Sequence, residues 1–125
     1  MTYYPSIEDV LIAHQLVIAR YGGSQGLRDR GGLESALARP QTGYYEDIIQ
    51  EAAALWESLS QNHPFLDGNK RVSITVTAAF LRVNGYRLQF DDLEAYRFVM
   101  DLYESGRFRF KELDDWLRRH ANRLP

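Results

Sequence analysis

The fold is decided by residues 47–85, which read DIIQEAAALWESLSQNHPFLDGNKRVSITVTAAFLRVNG. The first part of this stretch has the apolar spacing of one helix face, at Ile48, Ile49, Ala52, Leu55, Trp56 and Leu59. Asp47 is a favourable N-cap, and the ring of Pro64 prevents simple continuation of a helix. We therefore predict a helix from Asp47 to Asn62, with His63 at its exit.

The second part of the stretch, residues 69–83, is open to two interpretations. Val72, Ile74 and Val76 alternate with hydroxyl side chains, which favours a strand. The apolar content nevertheless continues to Val83, which is too long for a typical strand, and Asn84-Gly85 is a typical helix stop. We predict a buried helix over residues 69–83.

The flanking segments predict further helices. Ser6, with Asp9 three residues on, has the spacing of a capping box at the start of the first one. A short extended segment is expected at residues 86–90, and no repeat or interdomain linker is visible. The fold class is therefore all-α: one domain, residues 1–125, forming a compact helical bundle with short loops and at most a minor extended segment. The additional helices are expected at 6–21, 33–39 (stopped by Pro40), 91–104 and 110–120.

Composition excludes several classes of protein. The chain has 125 residues, no cysteine and a formal net charge of −2, which excludes a disulfide scaffold and thiol-ligated zinc. Without a basic excess, we expect no direct nucleic-acid partner. No apolar run approaches the ~20 residues that cross a bilayer, and no signal peptide is visible, so we expect no membrane association and a cytoplasmic protein.

The segment between the two central helices, residues 63–71, contains groups suited to phosphate chemistry. His63 is a base of a type that titrates near neutral pH and can accept a proton from a hydroxyl. Asp67 is a hard oxygen ligand, and Mg²⁺ in proteins is commonly held by one or two carboxylates together with substrate phosphates. A base and a candidate metal ligand thus lie four residues apart.

The end of the segment predicts an anion site. Gly68 removes a side chain where a ligand must approach the backbone. Asn69, Lys70 and Arg71 open the next helix, whose first N–H groups have no intrahelical partner. Lys70 and Arg71 add positive charge to this helix start, and an arginine can bind phosphate oxygens in bidentate fashion.

These residues resemble the signature of the Fic/Doc family, His-Pro-Phe-x-(Asp/Glu)-Gly-Asn-x-Arg, and residues 63–71 match each of its fixed positions. The similarity extends to residues 26–37, to the chain length and to the order of the helices. Two departures from the wider Fic pattern, Lys70 in place of a second glycine and Ile74 in place of a second arginine, are similar to the death-on-curing (Doc) branch. The resemblance implies ATP as the nucleotide, with transfer of its γ-phosphate; transfer of AMP remains the alternative.

The resemblance also implies roles for individual residues. His63 would be the general base, Asp67 would hold Mg²⁺, and Arg71 would neutralise phosphate charge in the transition state. Asn69 would help to orient phosphate within an anion hole lined by Gly68, Asn69 and Lys70. In the family, the loop before the motif-bearing helices positions the target chain; here it is residues 41–46, with Tyr44 and Tyr45 as the candidate contacts.

Partners follow from the same resemblance. The expected target is a Ser or Thr hydroxyl of a translation factor, elongation factor Tu, whose modification blocks translation. A Phd-like antitoxin is expected to cover the active-site groove, because the chain contains no convincing inhibitory helix of its own. An alternative from another class is a non-catalytic module that binds the antitoxin and modulates repression.

Simpler structural interpretations stand beside these expectations. Residues 63–71 could be an ordinary helix start that is capped by Asp67. His14 is expected to be a hydrogen-bonded core histidine, and Phe65 a buried anchor of the loop. The Arg28–Arg30 segment is expected to form a cap or an ion pair, while His120 is expected to be solvated or to stabilise a helix end.

Overall fold

The computed structural model describes residues 1–125, which form six α-helices, one 3₁₀ turn and two short strands. No helix combines the length and the apolar character needed to cross a membrane. In chain order the elements are α1 (Ile7–Tyr21), α2 (Arg30–Ala38), the 3₁₀ turn (Arg39–Gln41), α3 (Ile48–Gln61), α4 (Asn69–Val83), β1 (Tyr86–Leu88), α5 (Asp92–Glu104), α6 (Phe110–His120) and β2 (Ala121–Arg123). The predicted all-α bundle with a minor extended segment is confirmed.

Helix α3 is the centre of the bundle, packed against α2, α4 and α6. Its residues 52–56 are buried, and all of them except Ala54 belong, with side chains of the surrounding helices, to a core cluster of 21 buried residues. Aromatic rings close the core around Trp56, which packs edge-on against Trp116 and Phe108 at centroid distances of 5.5 and 6.0 Å. The middle of α3 is thereby packed against α6 and the segment before it.

Short polar side chains begin four of the helices by accepting a hydrogen bond from the first turn. At α1 the predicted capping box is present, since Ser6 and Asp9 bond to each other's backbone N–H groups. The other three caps are Asp29 for α2, Asp47 for α3 and Asp91 for α5.

Helix α2 differs from the sequence-based expectation at both ends. It begins at Arg30 and not at Leu33, because Asp29 caps the backbone N–H of Gly32 at 2.9 Å. A Cβ at Gly32 would lie 2.8 Å from the Asp29 carboxylate, so glycine allows this close approach. Pro40 is not a sharp stop either, because the chain continues through it as a 3₁₀ turn in which Pro40 is buried.

The two strands form a ribbon that sequence patterns did not predict in full. β1 lies within the expected extended segment, but its antiparallel partner β2 was not predicted. Beside the ribbon, Asn84 joins the amino-terminal segment to α4: its side chain accepts a hydrogen bond from Tyr3 N and donates to the carbonyls of Tyr3 and Phe80, at 2.8–2.9 Å. The end of α4 is thus tied to the amino-terminal segment.

Candidate active site

The loop between α3 and α4 runs alongside residues 26–29. The backbone N–H groups of Arg28 and Asp29 both donate to the carbonyl of Pro64, at 2.7 and 2.9 Å. Leu66 N donates to Gly26 O at 3.1 Å, and an antiparallel bridge joins residues 27 and 65. The loop is therefore held as one strand of a short pairing, although it contains no regular secondary structure.

His63 has a left-handed backbone conformation, with φ 46°, the only positive φ among the non-glycine residues. Such a conformation costs a residue with a side chain about 1–3 kcal/mol, and it persists only where surrounding contacts enforce it. Here the Arg28 guanidinium donates to His63 O at 2.7 Å and to Asn62 O at 3.0 Å. The His63 side chain is exposed and makes no hydrogen bond within the chain, so its imidazole is open to a substrate.

Beneath the loop lies an aromatic support. Phe65 is 1% exposed, and the ring of His14 stacks on it at a centroid distance of 3.8 Å. His14 is itself buried, and its Nε2 donates to the carbonyl of Asp67 at 2.8 Å. The predictions of a buried anchor at Phe65 and a hydrogen-bonded core histidine at His14 are confirmed.

Asn69 fastens the loop from the other side. Its Oδ1 accepts from Phe65 N at 3.0 Å, and its Nδ2 donates to Phe65 O at 2.9 Å. An asparagine amide carries two N–H donors, so one of them remains available to a ligand. The contacts give Asn69 a structural role in addition to the predicted one.

The Asp67 carboxylate is exposed and lies against the loop after α1. Its Oδ1 accepts from Gly68 N at 2.8 Å and its Oδ2 from Ser24 N at 3.1 Å. A Cβ at Gly23 would lie only 2.6 Å from Oδ2, so this loop approaches the carboxylate with its bare backbone. Each oxygen of the carboxylate retains room for a further partner.

The start of α4 is open. Gly68 is its N-cap in a left-handed conformation, with φ 79°, and no side chain caps the helix. The interpretation in which Asp67 caps the helix is therefore wrong. The N–H of Val72 bonds to Gly68 O, whereas the N–H groups of residues 69–71 have no partner in the chain. Three donors at the positive end of a helix form a site for an anion.

Both cations of the motif rest on tyrosine rings. Arg71 Cζ lies 3.7 Å from the ring centroid of Tyr21, at the end of α1, and Lys70 Nζ lies 4.5 Å from that of Tyr103, in α5. The Tyr103 hydroxyl is hydrogen-bonded to buried Ser60, and burial raises the pKa of Tyr103 to about 12. Both cations contact a ring and neither pairs with a carboxylate. Their charges therefore stay available to a phosphate.

A groove of about 440 Å³ begins beside these cations and runs between α4 and α5. Most of the residues that line it are hydrophobic. The lining residues include Tyr21, Lys70, Arg71, Ile74, Phe90, Val99 and Met100.

Residues 4–81 match the sequence model of the Fic/DOC family. This span runs from the start of α1 through the motif and includes most of α4. The chain belongs to the Fic/Doc family. Two relatives cover most of it. "Toxin Doc" of Mycolicibacterium smegmatis is 43% identical over 96 residues, which are 73% of this chain and 72% of that protein. "Protein kinase doc" of Escherichia phage P1 is 31% identical over 118 residues, 91% of this chain and 92% of that protein.

The structure brings the family's motif residues together, but not the two tyrosines predicted to contact a target. Tyr44 is 82% exposed and meets Tyr45 edge-on. Tyr45 packs against Phe110 and accepts a hydrogen bond from Arg39 Nε at 2.8 Å. No hydrogen bond or ring contact joins either tyrosine to the motif, so the target-positioning role of their loop stays a prediction.

The Fic/Doc family implies a magnesium ion, and the side chains of the motif offer few oxygen ligands for it. No group of three or more His, Cys, Asp or Glu residues is arranged to hold a metal ion. Asp67 is the carboxylate of the motif, and it keeps a free lone-pair direction on each oxygen. One carboxylate completed by substrate phosphates and water is a common Mg²⁺ arrangement, so the residues present fit the ion only once a nucleotide is bound.

Three residues that the motif does not include also belong to the site: Arg28, Tyr21 and Tyr103. Arg28 lies in the segment for which a cap or an ion pair was expected. That expectation is confirmed by the Asp29 cap and by the Arg28–Asp29 pair at 3.9 Å. No sequence spacing connects the two tyrosines with the motif, because each meets its cation only after the helices pack.

Proposed function

We propose that this protein is a Doc-type toxin that transfers the γ-phosphate of ATP to a Ser or Thr hydroxyl of a translation factor. Two relatives named as a toxin and as a protein kinase support the general activity. The observation that carries the proposal is the open start of α4, where three unpartnered N–H groups and two cations surround the head of a groove. A triphosphate supplies the anion that such a site requires.

In the proposed reaction, the His63 imidazole accepts the proton of the target hydroxyl. The hydroxyl oxygen forms a bond to the γ-phosphorus while the bond to the β,γ-bridging oxygen breaks, and ADP leaves. Lys70 and Arg71, with the N–H groups that begin α4, stabilise the negative charge on the phosphoryl oxygens. Asp67 would hold Mg²⁺, which when bound neutralises phosphate charge.

Elongation factor Tu is the target that we propose. The proposal rests on the family resemblance and on the exposed position of His63, which leaves the base open to a folded protein substrate. A hydroxyl on an extended segment of the target is the group expected to reach His63, because the base lies on the surface and not at the bottom of a cavity.

We also propose that a Phd-like antitoxin segment occupies the groove. Apolar side chains of both walls, among them Ile74, Val99 and Met100, offer a surface for the apolar face of a peptide. Acidic side chains on the same peptide would meet Lys70 and Arg71 at the head of the groove. Occupation of this groove would prevent access of the nucleotide to both cations.

The test is label transfer to purified elongation factor Tu in the presence of Mg²⁺, with ATP labelled at the γ-phosphate in one reaction and at the α-phosphate in another. We expect label from the γ-phosphate alone, reduced about 10²–10⁴-fold by His63→Ala, as for the loss of a general base. Label from the α-phosphate would establish AMP transfer instead. Transfer to no translation factor, with intact binding of an antitoxin, would favour the non-catalytic module.

A further inference from the structure

Arg28 is outside the motif, yet it donates three hydrogen bonds to carbonyl oxygens of residues 62–64. Its neighbour Asp29 donates a fourth. Its guanidinium donates to Asn62 O and His63 O, and its backbone N–H donates to Pro64 O, which also accepts from Asp29 N. Three successive carbonyl groups are therefore bonded to two adjacent residues.

These carbonyls belong to the part of the chain where α3 ends and reverses. Asn62 is the C-cap of α3, and the next residue, His63, has the left-handed φ of 46°. The carbonyl groups at the end of a helix lack intrahelical donors, and the guanidinium supplies one donor to the Asn62 carbonyl and another to that of His63, the next residue. The bond from Arg28 Nε to His63 O is made to the peptide group that directly follows the strained residue.

We infer that Arg28 is a positioning residue for His63: its guanidinium holds the left-handed turn at residues 62–63 and thereby fixes where the exposed imidazole lies. The imidazole itself has no hydrogen-bond partner in the chain, so its position depends on the backbone beneath it. The inference deepens the proposed transfer reaction and rests on it for the role of the base.

The burial of the neighbouring groups shows that packing alone does not fix the position of the His63 imidazole. Phe65 is fixed in the core through the stacked ring of His14, but His63 is exposed and has no such support. Arg28 therefore acts at the end of α3, where the exposed His63 has no support from the hydrophobic core.

The test compares Arg28→Met with Arg30→Met. The first variant keeps the length of an unbranched side chain and removes the donors. Arg30 is a matched control two residues away, because its guanidinium pairs only with Glu34, at 3.8 Å, and both side chains are more than half exposed. Arg28→Lys, which keeps a single positive donor group, serves as the conservative variant.

In the label-transfer assay, we expect Arg28→Met to lower kcat about 10–100-fold, the effect of a misplaced catalytic group. The KM for ATP should stay within about twofold of the unmodified protein, because the phosphate site on α4 is untouched. Arg28→Lys should recover part of the loss, and Arg30→Met should match the unmodified protein. A kcat for Arg28→Met equal to that of Arg30→Met would overturn the inference.

A second measurement does not depend on activity. The amide of Leu66, which donates to Gly26 O, should exchange hydrogen about tenfold faster in Arg28→Met than in Arg30→Met, since two charge-assisted bonds of the loop are lost. Equal exchange in the two variants would refute the holding role. If the unmodified protein transfers no label, the proposed function fails, while the exchange comparison still decides whether Arg28 fixes the loop.

Discussion

Helices α3 and α4 are neighbours in the core, but they begin in opposite ways. At α3 the Asp47 side chain caps Gln50 N at 2.9 Å, the Gln50 side chain accepts from Glu46 N, and Arg118 binds both Asp47 oxygens at 3.0 Å. At α4 the cap is Gly68, and no side chain reaches the first N–H groups.

The difference separates a helix start that is capped by a side chain from one that is left open. At the start of α3 the chain itself supplies a side-chain acceptor for Gln50 N, and this cap contributes to the free energy of folding. At α4 the same kind of donors, and the cations of Lys70 and Arg71, stay available to a ligand. The chain gives up the stabilisation of a cap at α4, and the helix start stays open for the phosphate that the proposed function requires.

The largest effect in this comparison is expected when the arginine at each helix start is replaced by methionine: Arg71 in the first turn of α4, and Arg118, which pairs with the cap of α3. Arg71→Met should lower kcat/KM for label transfer about 10²–10³-fold, the usual consequence of removing one transition-state donor. Arg118→Met should leave kcat/KM unchanged and lower the free energy of unfolding by about 1 kcal/mol or less, since Arg118 is partly exposed.

Steady-state kinetics and urea unfolding of both variants check this pair. Equal kcat/KM values for Arg71→Met and Arg118→Met would contradict the assignment of the open helix start as the phosphate site.

A smaller effect is expected from Asp47→Ala, which opens the start of α3. Loss of an N-cap side chain lowers the free energy of unfolding by about 1 kcal/mol, and the Arg118 pair is lost with it. Urea unfolding should show this change at constant m-value, with kcat/KM unaltered. A variant of unchanged stability would show that the cap at α3 is dispensable.

The smallest effect concerns the tyrosine ring that carries Lys70. Because burial raises the pKa of Tyr103 to about 12, the unfolded chain loses this proton first as the pH rises above about 10. The contribution of Tyr103 to stability is complete below pH 10 and is lost progressively towards pH 12. The effect is modest since the side chain is only partly buried.

Urea unfolding between about pH 9 and 11 measures this dependence. Tyr103→Phe should unfold with a shallower decline in stability than the unmodified protein, and the exposed control Tyr96→Phe should not. An equally steep decline in Tyr103→Phe would assign the pH dependence to other groups.

Much of the fold could be predicted because its helices carry strong local signals. The predicted limits of α4, residues 69–83, agree with the structure, and those of α3 differ by one residue at each end. Where local signals were weak the expectation failed. Gly31 and Gly32 disfavoured a helix, yet the cap at Asp29 begins α2 there, and the three-residue β2 exists only through its pairing with β1.

The candidate site divides in the same way. The motif, read as contiguous sequence, indicated the groups that the structure brings together at the start of α4. The left-handed turn at His63, the donors of Arg28 and the rings beneath Lys70 and Arg71 depend on contacts between residues 33 to 50 positions apart, which sequence spacing does not record. The two hydrogen bonds between the Asn69 side chain and the Phe65 backbone were missed for a simpler reason. An amide can form hydrogen bonds with a phosphate and with the backbone equally well, so the sequence does not show which one it contacts.

The Asn84 junction has a chemical consequence for the ageing of this protein. Asparagine followed by glycine is the sequence most prone to deamidation, because no side chain hinders attack of the following nitrogen on the amide carbon. The bonds of Asn84 Nδ2 to the Tyr3 and Phe80 carbonyls restrain that attack in the folded chain. Once converted to aspartate, the side chain would hold a negative charge against two carbonyl oxygens. Stored samples would then lose the attachment of the amino-terminal segment at the end of α4 opposite to the motif.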